Sequence, residues 1–202
     1  MAVEFQTPIS VVKNTGTSIT IPIPTGWSAG DLLIAYVTKD DDNNTTPPVG
    51  WTELHDIPGS TAMNLWVGWR IAVLGDTEWT WSGDSEDYYG VILRYTGHDP
   101  DYPIHNSGCT GSAATASAIA PSVAFGDPDP LTAGSLVLQV FGADNPSKSY
   151  PYTFPGQLTS RFNDEAGTIG GAGGEKGANW VSPTGFVAVS YTHLTLPTTP
   201  YV

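Results

Sequence analysis

Cationic side chains are scarce in this chain: seven Lys and Arg stand against 20 Asp and Glu, for a formal net charge of −13. Binding to nucleic acid rests on Lys and Arg neutralising phosphates, so this balance argues against such a partner. It argues equally against an anionic membrane surface. Cysteine is nearly missing. Cys109 stands alone, which rules out an intrachain disulfide and a thiolate metal site and leaves the redox compartment open. No apolar run approaches the roughly 20 residues of a membrane span. The N-terminus, Met1-Ala2-Val3-Glu4-Phe5-Gln6, lacks the basic region and apolar core of a signal peptide. The expectation is a chain made soluble, carried outside a cell only by something other than this N-terminus. Helical patterning is also lacking. The nearest stretch, Ala113 to Ala120, is flanked by Thr, Ser and Gly, stops at Pro121 and reads as an extended crossover.

Apolar and aromatic residues are plentiful: hydrophobic residues make up 40% of the chain and Trp occurs seven times, which excludes a disordered chain. The run Leu32-Leu33-Ile34-Ala35-Tyr36-Val37 lies between a Gly30-Asp31 turn and the acidic loop opening at Asp40. Such a run reads as a strand with both faces covered. Other strands are expected at Val11-Val12, Ser18 to Ile23, Gly50 to His55, Asn64 to Val73, Trp79 to Trp81 and Tyr88 to Tyr95, with turns at Lys13 to Gly16 and Ser82 to Asp84. Pro22 and Pro24 assign the second of these to a sheet edge. Trp51 is the expected core anchor of the Gly50 strand.

The central pattern is written twice. Ala29 to Asp40 is echoed by Ala133-Gly134-Ser135-Leu136-Val137-Leu138-Gln139-Val140-Phe141-Gly142-Ala143-Asp144. Thr115 to Pro121 echoes Gly16 to Pro22, and Pro155-Gly156-Gln157-Leu158-Thr159-Ser160 echoes Pro48 to Glu53. Ala178-Asn179-Trp180 and Gly185-Phe186-Val187-Ala188 answer Glu78 to Trp81 and Gly90 to Leu93. One copy has too few strands to cover its own apolar faces. The predicted architecture is therefore all-β: an antiparallel, jelly-roll-like β-sandwich of two sequence-related halves, 7–108 and 109–188, sharing one core as a single domain over 1–188.

Catalytic constellations are not legible. His55, His98 and His105 occur without a nucleophile-elbow pattern, and His98 and His105 sit in a loop, where solvated His is the usual case. Glu53, Glu78, Asp84, Glu86 and Asp87 offer carboxylates with no pairing shown by spacing. Gly170 to Gly177 lacks the GK[ST] ending of a phosphate loop and a helix behind it, and reads as a flexible β-turn region. No catalytic residue is assigned and no enzyme is expected.

Two binding readings stand beside bland ones. Asp40, Asp42 and Asn43 carry the oxygen ligands that Ca²⁺ prefers, although the loop lacks the twelve-residue EF-hand pattern; the alternative is a solvated acidic loop. Asn43 and Asn44 also fit the N-x-[ST] sequon. Trp79 and Trp81, spaced to point to one side, and Trp66, on the other face of its strand from Leu65, would form a sugar-stacking platform if exposed, and core if not.

Taken together, Pro24-Thr25-Gly26-Trp27-Ser28-Ala29-Gly30-Asp31-Leu32-Leu33, Pro47-Pro48-Val49-Gly50-Trp51-Thr52 and Val91-Ile92-Leu93-Arg94-Tyr95-Thr96-Gly97-His98-Asp99 resemble a β-sandwich family of phage and prophage structural genes and bacterial surface proteins. The resemblance spans about residues 7–188 and rests on turns and core strands. It implies a non-catalytic virion or extracellular structural role, in tail or fibre assembly or host attachment, with other copies of the chain or other virion or surface proteins as partners. A carbohydrate-binding module is the alternative. Val189-Ser190-Tyr191-Thr192-His193-Leu194-Thr195-Leu196-Pro197-Thr198 resembles one reading frame of the transposon-end adapter used in sequencing libraries. That resemblance implies a non-native tail over 189–202, with the native sequence interrupted after about Ala188.

Overall fold

The Leu32–Lys39 run forms the middle of a five-stranded sheet in the computed structural model, which describes residues 2–58, 63–110, 136–144, 158–167, 169–177 and 191–194. The strands are β1 (Glu4–Pro22), β2 (Leu32–Lys39), β3 (Thr52–Pro58), β4 (Asn64–Ile71), β5 (Glu78–Thr96), β6 (Cys109–Thr110), β7 (Leu136–Asp144), β8 (Thr159–Ala166), β9 (Ile169–Gly177) and β10 (Tyr191–Leu194). The first sheet has the order β1-β5-β2-β4-β3 and is antiparallel throughout. The second is built on antiparallel β7-β9-β8, with β10 and β6 added in parallel beside β7. The fold is thus all-β, with two antiparallel sheets arranged as a sandwich.

β2 reads as continuously apolar because it meets a core on each face. Leu32, Ile34 and Tyr36 join Leu65, Val67, Val91 and Leu93 against Val140, Phe162, Ala166 and Ile169 of the second sheet. Leu33, Ala35 and Val37 point the other way, into a cluster with Ile19, Ile21, Trp51, Trp66, Trp79, Trp81 and Ile92. All of that second cluster comes from the first half of the chain.

The cover over this outer face comes from β1 and β5, which differ from expectation. Each is one strand of 19 residues, where the sequence suggests short strands separated by turns at Lys13 to Gly16 and Ser82 to Asp84. The register shows why. Gly16 pairs with Glu86 and Ser18 with Ser82, so Gly83, Asp84 and Ser85 face Thr17 alone. A bulge of this kind bends a paired ribbon without ending it. The bend folds the Ser18–Pro22 and Glu78–Ser82 end back over the sheet, so that a Cβ built on Gly90 would lie 2.4 Å from Ile21 Cδ1. Only glycine leaves room there.

The glycine-rich stretch from Gly170 also departs from expectation. It is strand β9, paired on both sides by β7 and β8, not a flexible turn. Its missing side chains leave room for two rings, one from across the sandwich and one from the neighbouring strand: a Cβ on Gly171 would lie 2.2 Å from Tyr36 Oη, and one on Gly173 2.1 Å from Phe162 Cε1 of β8. The Tyr36 hydroxyl donates to the Phe141 carbonyl at 2.6 Å. A second tie between the sheets is the Tyr95 hydroxyl donating to Glu175 at 2.9 Å. Lys13 and Asp164 form a third, exposed one at 2.7 Å.

The expected crossover at Ala113 to Ala120 and the echoes at 115–121, 155–157, 178–180 and 185–188 lie outside the described residues. Of the stretch 189–202, the structure describes Tyr191–Leu194, as β10.

Candidate functional site

The strands place the three candidate platform residues together, but inside. Trp66 and Trp81 are 0% exposed and Trp79 8%. The exposed-aromatic expectation is therefore corrected: these rings are core. Alternation along β4 does put Trp66 on the face opposite Leu65, but the folded-back β1/β5 ribbon covers that face. Trp51 completes the cluster, edge-on to Trp79 at 5.2 Å and to Trp81 at 5.3 Å between ring centroids. Such geometry suits the ring quadrupole. Trp66 Nε1 donates to Glu53 at 3.0 Å, and the Arg70 guanidinium lies 4.6 Å over the Trp79 ring, a cation–π contact. No sugar face is offered by these rings.

The acidic loop after β2 is organised around protein partners. Asp41 receives the Lys39 ammonium at 2.6 Å and the Asn43 backbone N–H at 2.6 Å. The Asn43 side-chain amide donates to Asp84 at 2.8 Å. The Asp40 backbone N–H donates to the Asp87 carbonyl, and Asp42 is exposed. Among the described residues, no group of three or more His, Cys, Asp or Glu is placed to hold a metal ion. The calcium expectation for Asp40, Asp42 and Asn43 thus finds no cage of carboxylates.

Behind this loop lies a polar cluster that the sequence does not announce. Lys39 and Asn64 are both 0% exposed and stand directly opposite each other across β2 and β4. The Thr45 hydroxyl donates to Asn64 Oδ1 at 2.6 Å, and Asn64 Nδ2 donates to Asp56 at 2.7 Å. Burial pushes the Asp56 carboxyl above its ordinary range, against the Asn64 and Thr45 hydrogen bonds and the Lys39 charge. Tyr88 flanks Lys39 on the other side; burial, with Asp41, Asp84 and Glu86 nearby, pushes its hydroxyl up to about 12. A fully buried lysine is costly unless paired, and one beside a buried carboxamide and a carboxyl is the chemically richest spot in the described fold.

Two further buried pairs are structural. Arg94 donates to Asp31 at 3.0 Å and to the Gly26 carbonyl at 2.8 Å, while the Ser28 N–H also reaches Asp31. Arg161 contacts Glu175 and stacks 4.1 Å over Phe5. Burial lowers the pKa of His55 and of His98, opposed by nearby carboxylates in each case.

Sequence reading missed Lys39 and Asn64 because one closes and the other opens an otherwise strand-like run. The available signal was a lysine following seven consecutive apolar or β-branched residues, where alternation places it on the Leu33-Ala35-Val37 face. No family model, curated protein or solved structure matches the chain.

Proposed function

We propose that this chain is a non-catalytic structural module, built by duplication of one half-sandwich and working through protein–protein assembly on a phage particle or an extracellular surface. The order β2-β4-β3 in one sheet has its counterpart in β7-β9-β8 in the other. The irregularities agree as well: β3 slips against β4 between Glu53 and His55, and β8 against β9 between Ser160 and Phe162. These are matching positions when the Pro48 and Pro155 segments are aligned. Repetition of a bulge at one place supports descent from one unit, since bulges persist within families.

The residues behind the family resemblance serve turns and packing, which supports a structural role. Asp31 anchors Arg94, Trp51 fills the core, and Gly30 and Gly97 hold φ of 96° and 73° at the turns, a region that favours glycine.

The observation that carries the assembly reading is a pair of apolar turns. Val49 is 98% exposed, Leu74 87% and Val73 52%. The two turns are held together by Arg70, which lies against Gly50 and makes a two-pronged bond to Asp76 at 2.9 Å. Exposed apolar side chains on two turns tied to each other support a contact surface. Sedimentation velocity across a concentration series tests this. The native chain is expected to associate and Val49→Glu/Leu74→Glu to sediment as a monomer; a monomeric native chain, or association untouched by the substitutions, would count against it.

A further inference from the structure

We infer that Lys39 and Asn64 are built to form an intramolecular amide crosslink between β2 and β4. The reactants are cross-strand partners on one face of the sheet, where directly opposite Cβ atoms lie about 4.5–5.5 Å apart. Three assisting groups, Thr45, Asp56 and Asp41, each touch one of the two reactants. Thr45 donates its hydroxyl proton to Asn64 Oδ1 at 2.6 Å, where negative charge develops on attack. Asp56 lies 2.7 Å from Asn64 Nδ2, the leaving nitrogen. Asp41, at 2.6 Å, is the proton acceptor for the Lys39 ammonium. Its second carboxylate oxygen is buried without a hydrogen-bond partner.

The chemistry balances without a cofactor. Lys39 passes a proton to the Asp41 carboxylate, and the neutral amine turns from Asp41 to attack Asn64 Cγ, forming a C–N bond. The protonated Asp56 carboxyl delivers its proton to Nδ2 and recovers one from Nζ, so general acid and base are one group. The Cγ–Nδ2 bond breaks, ammonia departs with the proton held by Asp41, and a secondary amide joins the strands. Burial, which favours the protonated form of Asp56, suits that role.

The constellation belongs to one half of the chain. At the matching positions the second half has Ala143 facing Gly170, and Asn163 on the neighbouring strand, which serves none of these roles. A covalent tie here would lock the central strand to its neighbour at the end of the sheet where β5 and the acidic loop also meet.

Intact mass spectrometry of the purified full-length chain decides the matter. The native chain is expected to be lighter than its sequence by one ammonia, and proteolysis is expected to release one branched peptide joining Lys39 to Asn64. Lys39→Met and Asp56→Asn are expected at full sequence mass. A native chain at full mass, or an ammonia loss that maps to a linear peptide as a cyclised asparagine, overturns the inference. The native measurement stands even if a variant fails to fold.

Discussion

Strands β2-β4-β3 and β7-β9-β8 repeat one order with opposite materials. β4 reads Asn-Leu-Trp-Val-Gly-Trp-Arg-Ile, whereas β9 reads Ile-Gly-Gly-Ala-Gly-Gly-Glu-Lys-Gly. Where β2 carries Tyr36 and Thr38, β7 carries Val140 and Gly142. Sheets in a sandwich pack about 10 Å apart, so two equally bulky inner faces would not close. The first half keeps its rings and the second gives up volume to receive them: Tyr36 lies against Gly171, and a Cβ on Gly142 would come 2.7 Å from Met63 Cε. If the halves arose by duplication, they have since diverged into complements. The first sheet also has a private Trp-rich core on its outer face.

The largest break in this comparison lies at the turn that opens each central strand. Asp31 and Arg94 form a buried pair in the first half, and Ser135 stands at the Asp31 position in the second. Arg94→Met leaves Asp31 buried without its counter-charge and is expected to cost about 3–5 kcal/mol. Denaturant unfolding measures it, and the double change Arg94→Met/Asp31→Ser should recover much of the loss. Equal stability of single and double variants would show that the pair is not coupled.

Volume complementarity is tested next. Gly171→Ala pushes a methyl into the Tyr36 hydroxyl and is expected to cost about 1–3 kcal/mol. In a Tyr36→Phe background the penalty should shrink, because the atom in the way is gone. An unchanged penalty would mean that backbone strain, not the ring, sets the glycine requirement.

The smallest effect concerns pH. Burial raises the Asp56 carboxyl above its unfolded value, so the folded state holds its proton more tightly than the unfolded chain. Stability from this group is fully present below the unfolded pKa and is lost as pH rises through the folded one. Asp56→Asn, which copies Asn163 of β8, should flatten that decline between acid and neutral pH. An identical slope in both proteins would show that Asp56 does not titrate differently on folding.

Much of the fold was legible because strand periodicity is local. The unbroken Leu32–Val37 run announced a strand covered on both faces, and Trp51 announced a core anchor. The turns expected within β1 and β5 were misread because Gly and Asp mark a bend as readily as a chain reversal. Only the partner strand decides between them, here by pairing on both sides of Gly83–Ser85. Of the candidate site, the sequence showed the acidic loop but not the lysine behind it. The complete burial of Lys39 depends on residues as distant as Gly83 and Tyr88 closing over it. The Trp platform failed for the same reason: which face meets water is set by what folds across it.

By itself, then, the sequence determined the all-β class, the central strand and the echo between halves, since period and turn chemistry are carried by neighbouring residues. Tertiary structure alone decided that the outer Trp face is a core, that a glycine run is a strand, and that Lys39, Asn64 and Asp56 share one buried cluster. Each of those depends on elements far apart in the chain coming together, and no local pattern encodes that contact.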